Sequence, residues 1–277
     1  MSRIPAFRSL VCVCALIFAE GAGAEASLFI YPTTVVFEGN RVSAEVTIAN
    51  RGDEVGTFEI GWMDMSMTPE GGLMRHDDVM PWSIQPYVRY SPRRVTLAPA
   101  ESQVIRIAVR RDQDVPEGEY YSHLRVLTLN SAPIEAQSGG APEPVPGVAI
   151  TARTAIAIPV IWRNSLDKPA ASIASIDLDR ESNTIVATLH REGLLSARGF
   201  LHVIDPDANG DSRQLSDPVP AILYPNIDDR TVPVPLLAGY SVNGLPEGAE
   251  LVFSPDESLT DESLVYASRR VLPDNAR

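Results

Sequence analysis

The chain has 277 residues, a formal net charge of −13 and 44% hydrophobic side chains. That acidity argues against nucleic acid or an anionic membrane as the main partner, because both attract basic surfaces. The apolar content and the many β-branched runs exclude a disordered chain.

The first 24 residues come as a unit. Arg3 and Arg8 precede an apolar run from Leu10 to Ala19, and Gly21-Ala22-Gly23-Ala24 ends in a small-x-small pattern. These features predict a secretory signal peptide over residues 1–24, too short to span a bilayer. Both cysteines, Cys12 and Cys14, lie inside it and outside any lipoprotein context. Cleavage after Ala24 removes them with Arg3, Arg8 and Glu20, which takes the charge from −13 to −14. The expected product is an exported protein with no disulfide, thiol nucleophile or Cys-ligated metal. Its stability must then come from a buried core, and no later segment reaches membrane-spanning length.

Beyond Ser27 the pattern has period 2. Val42, Ala44, Val46 and Ile48 alternate with Ser43, Glu45 and Thr47, as on a strand with one buried face. Asn50-Arg51-Gly52-Asp53 reads as a turn, and a strand starts at Thr57 and runs to Trp62. Val95 to Leu97, Val104 to Val109, Tyr120 to Leu129 and Val148 to Trp162 follow, separated by Pro92, Pro99, Pro116 and a loop from Gly139 to Gly147. About seven strands between Ser27 and Arg163 match the spacing of a β-sandwich. Residues 164–169 read as a linker, polar and containing Pro169. Ile173–Leu178, Thr184–His190, Gly199–Val203, Ala221–Tyr224, Thr231–Leu237, Ala249–Phe253 and Ser263–Leu272 then predict a second, smaller sandwich over 170–277. Leu245-Pro246-Glu247-Gly248 echoes Val115-Pro116-Glu117-Gly118, and each precedes a strand. The fold class expected is all-β.

Four pieces of the first half resemble the periplasmic chaperones of pilus assembly, the PapD-like family. Tyr31 to Gly39 is similar to the family's first strand, and Val42 to Asn50 to its second. Val95 to Ile107 resembles the Leu-x-Pro segment that ends in a hydrophobic residue and arginine. Pro116 to Leu124 begins a long hairpin that closes with Ile158-Pro-Val-Ile-Trp-Arg163. The resemblance implies two immunoglobulin-like domains in tandem, the first over 25–163, with a cleft between them. It further implies a periplasmic chaperone without enzymatic activity or cofactor, whose partners are a pilin-like subunit and an outer-membrane usher. The subunit would be held by a lent β-strand, through Val148, Ile150, Ala152 and Thr154. Ile156, Ile158, Val160 and Trp162 continue that parity toward the domain's own core.

The resemblance also marks departures. The family's two cleft cations fall on Thr34 and Pro159, and neither carries charge; Pro159 lacks even a backbone donor. Arg163, at the junction, keeps the residue that braces the domains. Arg153 and Arg89 are candidate replacement cations; otherwise the subunit is not held by its C-terminus. A structural or adhesive envelope protein without handover is the alternative reading.

Other motifs carry less. Asp205-Pro-Asp-Ala-Asn-Gly-Asp211 begins like a calcium loop, but Ser216 occupies the place of the bidentate glutamate, so turn chemistry accounts for it. Met63, Met65 and Met67 alternate toward one strand face, which suits adaptable packing or a soft metal. His76, His123, His190 and His202 lack zinc spacing, and there is no nucleophile elbow, phosphate loop or dinucleotide fingerprint. Tyr120, Tyr121 and Trp82 read as core or edge aromatics, and no metal site is expected.

Overall fold

The computed structural model describes residues 27–110, 114–129, 153–206, 212–261 and 264–271. The chain is all-β and forms two immunoglobulin-like β-sandwiches in tandem. The first is built from β1 (Leu28–Tyr31), β2 (Val35–Phe37), β3 (Ser43–Asn50), β4 (Gly56–Met67), β5 (Leu73–His76), β6 (Val88–Ser91), β7 (Arg94–Leu97), β8 (Ser102–Val109), β9 (Gly118–Thr128) and β10 (Ala155–Asn164). One sheet runs β1-β3-β8-β6; the other runs β2-β10-β9-β4-β5, with β7 also pairing β4.

Alternation decides the faces. In β3, Ala44, Val46, Ile48 and Asn50 are buried while their neighbours point outward, and β8 buries Ile105, Ile107 and Val109 against them. Phe37, Phe58, Leu124 and Val160 meet this layer from the other sheet. Each such side chain contributes about 1.5–3 kcal/mol through apolar burial. Tyr87, Tyr120 and Trp162 close one end, with ring centroids 5.1–5.6 Å apart. The Asn50 turn forms as its composition requires: Asn50 Oδ1 accepts from Gly52 N at 3.0 Å, and its Nδ2 donates to Glu54 O.

Among the described residues the first sandwich has ten strands, where about seven were expected. β5 and β6 were missed because they are short and mostly exposed on one side, Leu73 and Met74 included. β4 also continues past Trp62 to Met67. Its inward positions there are polar, Asp64 and Ser66, so the hydrophobic alternation stops before the strand does. Buried Asp64 is satisfied locally: Oδ1 accepts from Ser122 Oγ (2.5 Å) and Ser83 Oγ (3.1 Å), and Oδ2 from Met80 N (2.9 Å).

The second sandwich comprises β11 (Ala170–Asp179), β12 (Thr184–Glu192), β13 (Ala197–Pro206), β14 (Ser212–Gln214), β15 (Val219–Leu223), β16 (Asp229–Pro235), β17 (Glu250–Ser254) and β18 (Ala267–Arg270). Its sheets run β11-β12-β16 and β14-β13-β17-β18, with β15 pairing the start of β13. The core is mostly aliphatic, with Ile185, Leu189, Leu201, Val203, Val234 and Leu251 around Phe253. A Cβ at Gly199 would collide with the Ser254 carbonyl, so glycine alone fits where β13 and β17 come together. Among the described residues no helix is long and apolar enough to cross a membrane.

Candidate functional site

β10 pairs with β9 along its whole length, from Ala155 opposite Leu127 to Asn164 opposite Gly118. On its other side β2 covers only Val160, Ile161 and Trp162, in parallel register with Val35, Val36 and Phe37. Ala155 to Pro159 therefore presents an unpaired outer edge among the described residues. Such an edge is a template for another chain. Pro159 removes one donor where the open stretch meets the covered one, which is where proline is tolerated in a sheet. β1 is the edge strand of the facing sheet, because it pairs only with β3. Phe29 and Tyr31 on it are 43% and 65% exposed. Among the described residues, one side of the sandwich is thus flanked by the outer edge of β1 and the uncovered start of β10.

The outward face of the β9–β10 layer is turned toward the second sandwich. Tyr121 and Ile161 are buried there against Met67 and Tyr224, with Val36, Trp82, Ile222 and Ile227 packed around them. The Tyr121 and Tyr224 rings stack with centroids 4.8 Å apart and 4° between planes. Asn226 ties the layers together: Oδ1 accepts from the Tyr121 hydroxyl (2.9 Å) and Met67 N (3.1 Å), and Nδ2 donates to Met67 O (2.9 Å). Its amide thus extends β4 as a further backbone unit would. Thr231 N donates to Pro69 O, and the Arg230 guanidinium lies so close to Gly71 that a side chain there could not fit without displacing it.

The buried carboxylate of Glu119 joins the same contact. Its Oε2 accepts from Arg163 Nε (3.3 Å) and from Ser196 N (3.1 Å) across the junction. Arg163 also reaches Glu38 Oε2 at 3.2 Å. Beside these, His123 is buried next to Tyr224, with ring centroids 6.3 Å apart. Burial, assisted by the Arg198 charge, lowers its pKa to about 4. Burial likewise pushes the Tyr121 and Tyr224 hydroxyls up and Arg230 down.

The residues singled out from sequence fall as follows. Val148, Ile150 and Ala152 lie outside the described residues; Thr154 is exposed, and its carbonyl accepts from Thr128 N at 2.9 Å. Ile158, Val160 and Trp162 face the core, and Ile156 packs against it. Thr34 and Pro159 are each half-buried, one residue before the Val35–Val160 pair, so register sets them side by side at the start of the covered stretch. Arg153 is exposed just ahead of β10. Arg89 is a correction to the cation search: it stands on the exterior of the β1-β3-β8-β6 sheet, in an open groove of about 660 Å³ with Arg41 and Arg106. β6 carries it there because Val88 and Tyr90 take the inward positions of that strand.

Met63, Met65 and Met67 do share a face, and Met67 is buried in the contact between sandwiches. Asp205 pairs with Arg213 at 2.6 Å, and 207–211 lie outside the described residues. The two Pro-Glu-Gly segments differ locally: Gly118 has φ +150, whereas Ala249 N closes a turn on Pro246 O. Asn226, Tyr224, Glu119 and Arg198 went unnoticed as site residues. No sequence period announces a residue that contacts a different domain.

No family model matches the chain, and no curated protein matches it. Solved structures similar to it include the CsuC–CsuE chaperone–tip adhesion subunit pre-assembly complex of Acinetobacter baumannii. There the identity is 13% and the TM-score 0.47, covering 84% of this chain and 95% of that chain. The class 5 fimbriae chaperone CfaA is 14% identical with a TM-score of 0.46, over 89% of this chain and 100% of that one. The Salmonella enterica SafA pilin in complex with the SafB chaperone gives 12% and 0.44, over 83% and 89%. The strand order described above stands independently of them.

Proposed function

We infer that the protein is an exported chaperone of the periplasm that captures an incomplete immunoglobulin-like pilus or fimbrial subunit by lending it the edge of β10. The single observation that carries this reading is that, among the described residues, Ala155 to Pro159 of β10 pair with β9 on one side and with no strand on the other, while Val160 to Trp162 are paired on both. An unpaired edge beside an apolar face offers backbone partners and a template to a subunit that lacks a strand of its own. Val148, Ile150, Ala152 and Thr154 would continue the lent segment. Arg163, with Glu119 and Glu38, would hold the junction at a fixed geometry. Delivery to an outer-membrane usher completes the reading, and the boundaries of the two domains would be 25–163 and 170–277.

The test is co-expression with candidate fibre subunits. The expected outcome is a one-to-one complex and loss of soluble subunit when the protein is absent. Equal yields of soluble subunit with and without it would defeat the reading. The uncharged pair Thr34 and Pro159 favours one competing reading, an envelope component that captures nothing. Such a component would be recovered without a subunit and would carry a protected β10 edge.

A further inference from the structure

The exterior of the β1-β3-β8-β6 sheet carries charge that the strand-lending reading does not use. Two rungs span β3, β8 and β6 there. Ser43, Ala108 and Arg89 stand side by side in one, and Glu45, Arg106 and Ser91 in the next, all of them exposed. Ser43, Ala108 and Ser91 are small, so they form a floor between the arginines. With Arg41, just ahead of β3, these residues line the open groove of about 660 Å³. Arg110, the residue after β8, keeps the parity of Arg106 and Ala108. Its Nη2 donates to Pro86 O at 3.4 Å, and its Nε is buried without a partner.

The charge balance sets this face apart. The chain has 36 acidic against 23 basic residues, yet Glu45 is the one acid in these four strands. Glu45 is taken by Arg106 Nε at 3.1 Å. Glu38, in the turn before Arg41, is spent on Arg163 at 3.2 Å. Among the described residues no carboxylate pairs with Arg41, Arg89 or Arg110. Arg41 and Arg89 therefore keep their planar forks for the carboxylates of a ligand, the geometry a guanidinium fits best.

We propose that this groove docks an acidic, extended peptide segment of a partner protein. An extended chain sets alternate side chains about 6.6 Å apart on one face, which is also the step between successive rungs of a sheet. Carboxylates two residues apart thus meet arginines of neighbouring rungs, and the small floor admits the backbone between them. The negative charge of the chain as a whole repels a broad anionic surface such as a membrane, whereas a groove of arginines recruits a single acidic segment. β6 is the edge opposite β1, and Ala155–Pro159 belongs to the other sheet, so this surface is separate from the lent edge.

The experiment uses the full exported chain and two synthetic peptides, acetyl-Thr-Glu-Thr-Glu-Thr-Glu-Thr-amide and its counterpart with glutamine in place of glutamate. Affinity is read by titration calorimetry at low and at high salt. The glutamate peptide is expected to bind about ten-fold or more tightly, with the ratio shrinking as salt screens the exposed charges. Arg41→Gln combined with Arg89→Gln should erase the ratio. Arg75→Gln, on β5 of the other sheet, should leave it unchanged, and thermal melts check that the variants fold. Equal affinity for the two peptides in the wild type, or a ratio that survives the double substitution, overturns the proposal. So does tighter binding of inorganic tripolyphosphate than of the glutamate peptide, which makes the groove a phosphate site. Binding to phosphatidylglycerol vesicles without binding of the peptide makes it a membrane site and has the same consequence. Subunit co-expression reads strand lending separately: the double variant should still capture a subunit, and loss of that capture would overturn the separation of the two surfaces.

Discussion

The two sandwiches share a strand layout yet treat the same side of it in opposite ways. In the first, β1 and β10 flank one side, and among the described residues both leave backbone groups without strand partners. In the second, β11 and β18 occupy the equivalent places, and Arg269 staples them: its Nη1 donates to Ile173 O (2.9 Å) and Ala174 O (2.5 Å). β11 is bulged between Ile173 and Ser175, which turns its carbonyls toward that arginine. The far edge, β16, is blunted by Pro233 and Pro235. Among the described residues, one half thus has its edges stapled or blunted and the other keeps an edge that a strand-lending role would use.

The largest effect should come from cutting the two halves apart. Tyr224→Ala removes the stack on Tyr121 and should cost about 3–5 kcal/mol, typical of a large buried aromatic. Calorimetry should then resolve two transitions; a single one at unchanged temperature would mean the sandwiches never shared stability.

Acid should strike the contact between them next. The buried His123 holds its proton only below a pH of about 4, whereas an exposed histidine takes one near 6.5. The unfolded chain therefore binds the proton first, so stability is full above 6.5 and falls as pH drops from 6.5 through 4, by up to roughly 3 kcal/mol. His123→Phe should flatten urea midpoints across that window. An unchanged slope would place the charge elsewhere, with His202, which burial also pushes down, as the other source.

Breaking the staple is a smaller change. Arg269→Ala should lose about 2 kcal/mol, the range for hydrogen bonds from a charged donor, and amide exchange should quicken in β11 but not in β1. The smallest effect on stability belongs to Pro159→Val, about 1 kcal/mol or less, since the position lies on an edge. It restores a backbone donor there, so self-association measured by sedimentation should rise. Unaltered association would show that the proline does not guard the edge.

Much of the fold was legible in the sequence because half-buried strands write their faces in period 2. β3, β8 and β12 follow from that alternation, whereas β9 is buried on both faces because its outer one meets the second sandwich. The same logic failed for β5 and β6, too short and exposed to alternate, and for the end of β4, where the buried partners are Asp64 and Ser66. The contact between sandwiches was the least legible part. Asn226, Glu119 and Arg198 are polar residues in turns and strand starts, and nothing local distinguishes them from solvent-facing neighbours.

The order of strands, the two-sandwich plan and the apolar inner faces were determined by the sequence alone, since burial on one face of a strand dictates its alternation. Only the tertiary structure decided which stretch of edge is left unpaired among the described residues and which side chains meet between the sandwiches. Both depend on where distant segments lie, β2 along only three residues of β10 and Tyr224 stacked on Tyr121, and no local pattern encodes where another segment ends.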